Sequence, residues 1–289
     1  MSSIIFIGDH MREIVDFISS TVLKCGYRGA VIGISGGIDS AVVGKLAVDA
    51  LGKKNVFGLL MPERDSSKDT LEDSKLVTRF LGIDFKVKNI SSVLRSVGCY
   101  KLQPPALLIP QSVKEKYVRD KWKQLSSDPF LDDLADRGNE EFKRGLAFYR
   151  AKHRVRMVSL YLEAEKRGYA VLGTTNKTEW LCGLYVKWGD DSSDIEPIKH
   201  LFKTEVMDLA RDLKIPARII EKPPSPDLIP GVNDETAFGL QLNELDEVLR
   251  EIEAGKVPNP HDSKVMRVME ILQAAEYRKL RNLSIIQKK

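Results

Sequence analysis

Ser35-Gly36-Gly37-Ile38-Asp39-Ser40 combines residue types suited to holding a phosphate. It follows the apolar run Ala30-Val31-Ile32-Gly33-Ile34 and opens the helical pattern Ala41-Val42-Val43-Gly44-Lys45-Leu46-Ala47-Val48. A short buried strand therefore runs through a two-glycine turn into a helix. Glycine reaches backbone conformations closed to other residues, so several amide N–H groups can converge on one point. The helix start adds unpaired donors and the positive end of its dipole. Ser35 and Ser40 add hydroxyls. Asp39 is the odd member, because a carboxylate repels phosphate unless a cation lies between them, and magnesium is the natural mediator. The same residues also make a plain strand-to-helix turn with Asp39 and Ser40 as capping side chains.

The spacing is neither the dinucleotide fingerprint nor the Walker A pattern, which ends in Gly-Lys-Ser/Thr. It resembles the PP-loop of the ATP pyrophosphatases, Ser-Gly-Gly-x-Asp-Ser, with every fixed position matched. That resemblance implies that the loop holds the phosphates of an ATP cleaved to AMP and pyrophosphate. It also implies a fold like that of the adenine nucleotide alpha hydrolases.

A second set of chemistry-bearing residues lies downstream. Tyr169-Ala170-Val171-Leu172-Gly173 reads as a strand that runs into Thr174-Thr175-Asn176-Lys177-Thr178-Glu179 and a helix to Val186. Asn176 and Glu179 have capping-box spacing, which gives them a structural reading beside a catalytic one. Lys187-Trp188-Gly189-Asp190-Asp191-Ser192-Ser193-Asp194 is a polar, glycine-broken loop. Lys203 opens a helix with Val206, Leu209, Ala210 and Leu213 inward, and Ser225 sits within the stiff Pro223-Pro224-Ser225-Pro226 loop. Gly231-Val232-Asn233-Asp234-Glu235 begins a further helical region containing Leu242, Leu245, Val248 and Leu249.

In this order after a PP-loop, these pieces resemble the ammonia-dependent NAD synthetases over most of Ile32 to Leu249 outside an inserted region. The resemblance implies that Gly33, Ile34, Ser35, Gly36, Gly37, Ile38, Asp39 and Ser40 hold ATP phosphates. Thr174, Lys203 and Ser225 would also contact ATP, with Asp39 and Lys203 as the catalytic pair. Asp39 and Glu179 would bind Mg2+, and Arg154, Lys187 and Asp194 would hold deamido-NAD. The implied reaction transfers AMP from ATP to the nicotinate carboxylate and lets ammonia attack the acyl adenylate, giving NAD. A homodimer with sites near the subunit interface is implied as well. The sequence departs from the family at Arg150, where an Asn is common, at Leu242, where Tyr is usual, and near the C-terminus, where a His-Lys pair is frequent and this chain has Glu276-Tyr277-Arg278-Lys279. Those departures support a second reading, a paralogue that adenylates and amidates another carboxylate. A third, a PP-loop RNA-modifying enzyme, usually needs catalytic or metal-binding cysteines.

The elements that position these residues follow from periodicity. Ile14, Phe17, Ile18, Thr21 and Val22 predict a helix over 12–25, and the helix after the PP-loop should reach Leu51. Asn55–Met61 is an apolar strand closed by Pro62, Leu71 to Leu81 a helix stopped by Gly82, and Asp84–Lys88 an alternating or edge strand. Strands alternating with helices predict an α/β fold, doubly wound, with a mainly parallel sheet flanked by helices. Ligands then sit beyond the carboxyl ends of the strands, where the PP-loop falls. Met61, at the end of the second strand, reads either as lining a base pocket or as core. The rhythm fails over 97–146, which reads as an insertion within a single domain, either a lid or a subunit contact. A helix over 147–166 follows, with Arg150 and Arg154 on one face as phosphate forks or a solvated stripe.

The 289 residues carry 43% hydrophobic and 30% charged residues and a net charge of +4, which suit a globular protein acting on polyanionic small molecules. The basic residues are spread among acidic ones, so neither nucleic acid nor membrane is an expected partner. Cys25, Cys99 and Cys182 are scattered, which predicts a reducing compartment without a zinc site. No secretory or membrane-spanning stretch is present, so the expected location is cytoplasmic. Beside a synthetase core there is no room for a glutamine amidotransferase domain, which leaves free or separately supplied ammonia as the nitrogen source.

Overall fold

Ala30, Val31 and Ile32 have no exposed surface, so the strand they form is covered on both faces, as a central parallel strand must be. The computed structural model describes residues 2–102, 124–222, 234–256, 259–280 and 282. In order, the described elements are α1 (Ser2–Lys24), β1 (Ala30–Gly33), α2 (Ile38–Leu51), β2 (Val56–Leu60), α3 (Lys68–Leu81), β3 (Asp84–Val87) and α4 (Ser91–Ser96). There follow α5 (Pro129–Leu134), α6 (Glu140–Arg167), β4 (Ala170–Leu172), α7 (Lys177–Cys182) and α8 (Lys203–Asp212). Last come α9 (Ala217–Ile220), α10 (Asp234–Phe238), α11 (Leu242–Glu253) and α12 (Ser263–Lys279).

The sheet has four strands in the order β3-β2-β1-β4. All pairings are parallel, with Ile32 opposite both Gly58 and Leu172. The chain lays strands outward from β1 to β3, then returns to place β4 on the other side of β1. That reversal opens a crevice between the carboxyl ends of β1 and β4, the place where open α/β sheets bind ligands. β3 is the edge strand, and all four of its residues are exposed.

Helices cover both sides of the sheet. Ile14 and Ile18 of α1, Val42 and Leu46 of α2, Val77 of α3 and Val206 of α8 share one core with β1 and β2. On the opposite face, Leu160, Tyr161 and Ala164 of α6 pack on Val31, Leu59 and Val171. A second apolar cluster joins Phe130, Leu134, Phe142, Leu146, Leu245, Val268 and Ile271 from α5, α6, α11 and α12. Met207 of α8 touches both clusters. Among the described residues no helix is long and apolar enough to cross a membrane.

Three helix limits differ from the sequence pattern. α1 begins at Ser2 rather than Arg12. The spacing marks only where Ile14, Ile18 and Val22 bury, and a helix need not stop with its buried stripe. α6 begins at Glu140 rather than Ala147, capped by Asn139, whose Oδ1 accepts the Phe142 N–H at 2.9 Å. Its inward residues Phe142, Leu146, Tyr149, His153, Met157, Leu160 and Ala164 keep three- and four-residue spacing along its length, the first three in the helical cluster and the last two on the sheet. α7 stops at Cys182 rather than Val186, because Gly183 takes a left-handed cap conformation (φ 73°).

Candidate active site

The turn after β1 requires glycine at one position above all. Gly36 has φ +81°, and a Cβ there would lie 2.8 Å from both Asp73 Cβ and Ser74 N of α3. Ser35 Oγ accepts the Gly37 N–H at 3.1 Å and lies 3.2 Å from Ser40 Oγ, which contacts the Gly37 carbonyl at 3.0 Å. Asp39 stands in the first turn of α2. Asp73, the wall behind Gly36, accepts from Arg218 at 2.6 Å and from Lys222 at 3.0 Å.

A cavity of about 210 Å³ opens over this turn. Gly33, Ile34, Ser35, Asp39, Ser40, Met61, Thr174 and Glu179 all line it. Gly36 and Gly37 shape the turn beneath, and Ile38 is buried in the sheet core. Met61 meets both of its sequence readings, since it lines the cavity and packs on the buried cluster of Val31 and Leu59. α6 adds His153, Arg156, Met157 and Leu160, none of which the motifs point to. Met157 and Leu160 carry the apolar spacing that continues the Leu146 and Tyr149 face, which is the signal that could have placed them. Burial holds the His153 imidazole well below its usual pKa, with Arg156, Lys152 and Arg154 adding to the shift, so it is neutral.

Beside the cavity, Lys203 is the hub of an acidic cluster. Its Nζ donates to Asp39 Oδ2 at 2.5 Å and lies 3.8 Å from Glu179 Oε1 and 4.0 Å from Asp234 Oδ2. Asn176 Nδ2 donates to Asp39 Oδ1 at 3.1 Å, and Asn176 and Glu179 form a complete capping box on α7. Both sequence readings of this pair therefore coexist. Burial alone would lower the Lys203 ammonium; Asp39, Glu179 and Asp234 outweigh it and keep the group charged, above its usual range. Glu179 is pushed well above its usual pKa by burial and then by Asp39. Asp234 is raised to about 6 by burial, with Lys203 opposing and Asp39 adding.

Three carboxylates thus face one ammonium, and Asp234 Oδ1 is buried with no hydrogen-bond partner among the described residues. Hard oxygen donors with excess negative charge fit Mg2+, which takes one or two carboxylates together with substrate phosphates rather than an all-protein cage. The described residues accordingly contain no group of three side chains able to cage a metal alone. Neither Asp234 nor Asp246 is an expected site residue from the sequence, and Asp246 has no exposed surface. Asp246 accepts from Thr178 Oγ1 at 2.6 Å and from the Thr204 N–H at 2.9 Å, locking the starts of α7 and α8 together. Lys203 N donates to the same Thr178 hydroxyl at 2.9 Å. Only tertiary contact reveals that role.

The residues assigned to the second substrate are placed differently. Arg154 is exposed, and its guanidinium donates to the Lys187 carbonyl at 3.2 Å. Lys187 Nζ lies 5.3 Å from the Tyr277 ring centroid and 5.7 Å from that of Trp188. Asp194 stands apart at the outer edge of β4, where the next residue, Ile195, bridges to Leu172; its carboxylate accepts the Val171 N–H at 2.8 Å and the Tyr161 hydroxyl at 3.3 Å. Arg150, with two sequence readings as a phosphate fork or a solvated group, is instead half-buried in ion pairs with Asp133 (2.7 Å) and Asp136 (2.6 Å). Ser225 lies outside the described residues, as do Pro223-Pro224 and the Gly231–Asn233 stretch.

The crevice at the sheet's switch point, its glycine turn and the adjoining lysine-carboxylate cluster are those of an α/β enzyme with the PP-loop fold. The sequence profile of the NAD synthase family matches residues 10–116 and 116–282, and the chain belongs to that family. It is 53% identical over 268 residues to the NH(3)-dependent NAD(+) synthetase of Thermotoga maritima, covering 92% of this chain and 95% of that one. The corresponding enzyme of Coprothermobacter proteolyticus is 41% identical over 86% of each chain. Among solved structures, the NH3-dependent NAD synthetase of Campylobacter jejuni, bound to nitrate, superposes with a TM-score of 0.70 at 25% identity, covering 97% of this chain and 99% of that one. The NMN synthetase of Francisella tularensis shares the fold at a TM-score of 0.72 and 24% identity, over 96% and 98% of the two chains.

Proposed function

We propose that the protein joins ammonia to the nicotinate carboxylate of deamido-NAD in a reaction driven by ATP, releasing AMP and pyrophosphate. The observation that carries this reading is the Lys203 cluster beside the cavity, joined to the glycine turn through Asp39. A carboxylate does not react with ammonia, because it is an anion without a usable leaving group. Adenylation supplies the leaving group. Ser35, Ser40 and the start of α2 would hold the ATP phosphates, with Met61, Met157 and Leu160 against the base. Asp39 and Glu179, with Asp234 beside them, would hold Mg2+, which when bound would supply neutralisation of phosphate charge. Lys203 stays protonated in this field and stabilises the charge developing as pyrophosphate departs. Ammonia then displaces AMP from the acyl adenylate, and positioning supplies much of the remaining rate.

Arg154, Lys187 and Asp194 would bind the dinucleotide acid. Two of the three departures that favour another carboxylate are accounted for structurally: Arg150 is committed to Asp133 and Asp136, and Leu242 is buried in the helical cluster. Tyr277 stays beside Lys187. The test is direct: purified protein given deamido-NAD, ATP, Mg2+ and ammonium should release NAD and AMP in equal amounts. No AMP would sink the reading, and AMP only with a different acid would transfer it to that acid.

We also propose a homodimer, supported by the outer face of α6, where Val158 is 60% and Leu162 49% exposed. Light scattering of the wild type and of a Val158→Glu, Leu162→Glu variant tests this, a monomeric wild type being the contrary result. Of the segment 97–146, read as a lid or a subunit contact, Tyr100 supports the lid reading for the start, its hydroxyl donating at 2.8 Å to Glu63 in the loop after β2, whereas Phe130, Leu134, Phe142 and Leu146 belong to the helical core. Residues 103–123 of it lie outside those described. The free thiols Cys25, Cys99 and Cys182 support a reducing, cytoplasmic setting.

A further inference from the structure

A second buried charge cluster lies away from the cavity, and none of the proposed chemistry uses it. Asp133 of α5 is 4% exposed and accepts from Tyr149, from Arg150 Nη2 at 2.7 Å and, through Oδ2, from Arg278 Nη2 at 2.8 Å. Burial would raise its carboxyl pKa, but Arg278 and then Arg150 overcome that and hold it below the usual range. Arg278 of α12 is 6% exposed, and its other amine turns away from the carboxylate. Nη1 donates to the Gly183 carbonyl at 2.8 Å and to the Tyr185 carbonyl at 2.9 Å. One guanidinium thus ties the turn after α7 to a carboxylate in α5, with charge-assisted hydrogen bonds on one side of the fork.

That turn leads straight into the loop carrying Lys187. Gly183 is left-handed, and a Cβ on it would lie 2.8 Å from Leu134 Cδ2, on the same helix as Asp133. Leu184 and Gly189 line the cavity. The Val186 N–H donates to Asp190 Oδ1 at 2.7 Å, and the Lys187 carbonyl receives Arg154. Trp188 holds φ +62°, which costs a side-chain-bearing residue free energy and persists only where the surroundings enforce it. Tyr277, the neighbour of Arg278, meets Lys187 from the same helix. By contrast, the phosphate end of the cavity is fixed by α2, α3 and Lys203, while both amines of Arg278 are engaged at Asp133 and the 183–185 carbonyls.

We propose that Arg278, backed by Asp133, is a positioning residue that holds the 183–189 turn in the shape that receives the carboxylate substrate, without governing ATP. The proposal rests on reading Lys187 as a contact for that substrate. A clamp of two backbone carbonyls needs a planar, charged donor pair, which arginine supplies and lysine does not. Arg278→Met removes the donors and keeps much of the apolar stem. Arg278→Lys keeps the charge but can reach the carbonyls or Asp133 in turn, not both together.

Steady-state kinetics on full-length protein should show KM for deamido-NAD raised tenfold or more in Arg278→Met, with KM for ATP within twofold of wild type. Arg278→Lys should fall between. Hydrogen exchange without substrates should show amides of residues 184–189 exchanging at least tenfold faster in Arg278→Met, while those of residues 34–40 keep their rates. Equal rises in both KM values, or unchanged exchange at 184–189, would overturn the clamp. Should Arg278→Met fail to fold, Arg278→Lys and Asp133→Asn carry the same two measurements and the same criteria. A wild type inactive on deamido-NAD refutes the functional reading instead, and the exchange result then decides the clamp by itself.

Discussion

Two buried charge clusters face opposite ways in this protein. Around Lys203, three carboxylates surround one ammonium. Around Asp133, two guanidiniums surround one carboxylate. In the second cluster the donors of Arg278 are spent on Asp133 and on two carbonyls, and the Asp133 carboxyl is held low by its cations despite burial. In the first, Asp234 Oδ1 has no partner among the described residues, and burial and like charge push Glu179 and Asp234 upward. A satisfied cluster holds a shape. An unsatisfied one with excess negative charge is poised for a cation and its anionic cargo.

Removing the central charge of each cluster should expose that difference most strongly at Lys203. Lys203→Ala is expected to lower kcat/KM by about a thousandfold or more, read as AMP release, because charge developing on pyrophosphate loses a preorganised partner. Its cost in stability should be smaller than the catalytic loss suggests, since Glu179 and Asp234 can take up protons once the ammonium is gone. Asp133→Ala should do the reverse. It leaves Arg278 without its carboxylate partner and Arg150 with Asp136 alone, neither guanidinium can neutralise, and unfolding in urea should show a loss of about 3–5 kcal/mol. Equal stability losses for the two variants would erase the contrast.

The sequence exposes one of these clusters far better than the other. Ser35 to Ser40 are contiguous, so a local motif betrays the glycine turn, and parallel strands with helical crossovers follow from the alternation of short apolar runs and amphipathic stretches. Asp39, Glu179 and Lys203 are accessible because each opens a helix after a strand or loop of recognisable type. Asp133, Arg150 and Arg278 sit in three different helices, and nothing in their neighbours distinguishes a buried clamp from a solvated charge. Asp234 and Asp246 are hidden for the same reason, since each looks like an ordinary polar residue at a helix start or on a helix face. The start of α6 escapes the pattern because Glu140, Glu141, Lys143, Arg144 and Gly145 surround Phe142, so its first two turns carry too few apolar residues to show a period.

A backbone change separates the two ends without altering any charge. Gly36→Ala must place a Cβ 2.8 Å from Asp73 and Ser74 at φ +81°, and strain of this kind costs about 1–3 kcal/mol. Gly37, at φ −92° and with Ser35 Oγ 3.3 Å from where a Cβ would stand, has far more latitude. Isothermal titration should find ATP binding weakened about tenfold or more in Gly36→Ala and little changed in Gly37→Ala. Deamido-NAD affinity should stay near wild type in both, since the acceptor turn is fixed by Arg278 and Asp133. A matching loss for deamido-NAD would mean that the two ends are one mechanical unit.

The smallest predicted effect is a difference in sign. Asp234 has its carboxyl raised from 3.8 to about 6 in the folded protein, so between those values the native state binds a proton that the unfolded chain does not. Metal-free stability from this group therefore rises as pH falls from about 7 toward 4, on the order of 1 kcal/mol per unit at most. Asp133 behaves oppositely: its lowered carboxyl contributes stability above the ordinary carboxylate range, and that contribution is lost as pH drops through the folded value. Urea unfolding at pH 5 and pH 7 in chelator should show Asp234→Asn flattening the first trend and leaving the acid limb intact. Saturating Mg2+ should reverse the first trend, because a bound cation needs the carboxylates ionised. If magnesium leaves the slope between pH 5 and 7 unchanged, the three carboxylates around Lys203 do not constitute its site.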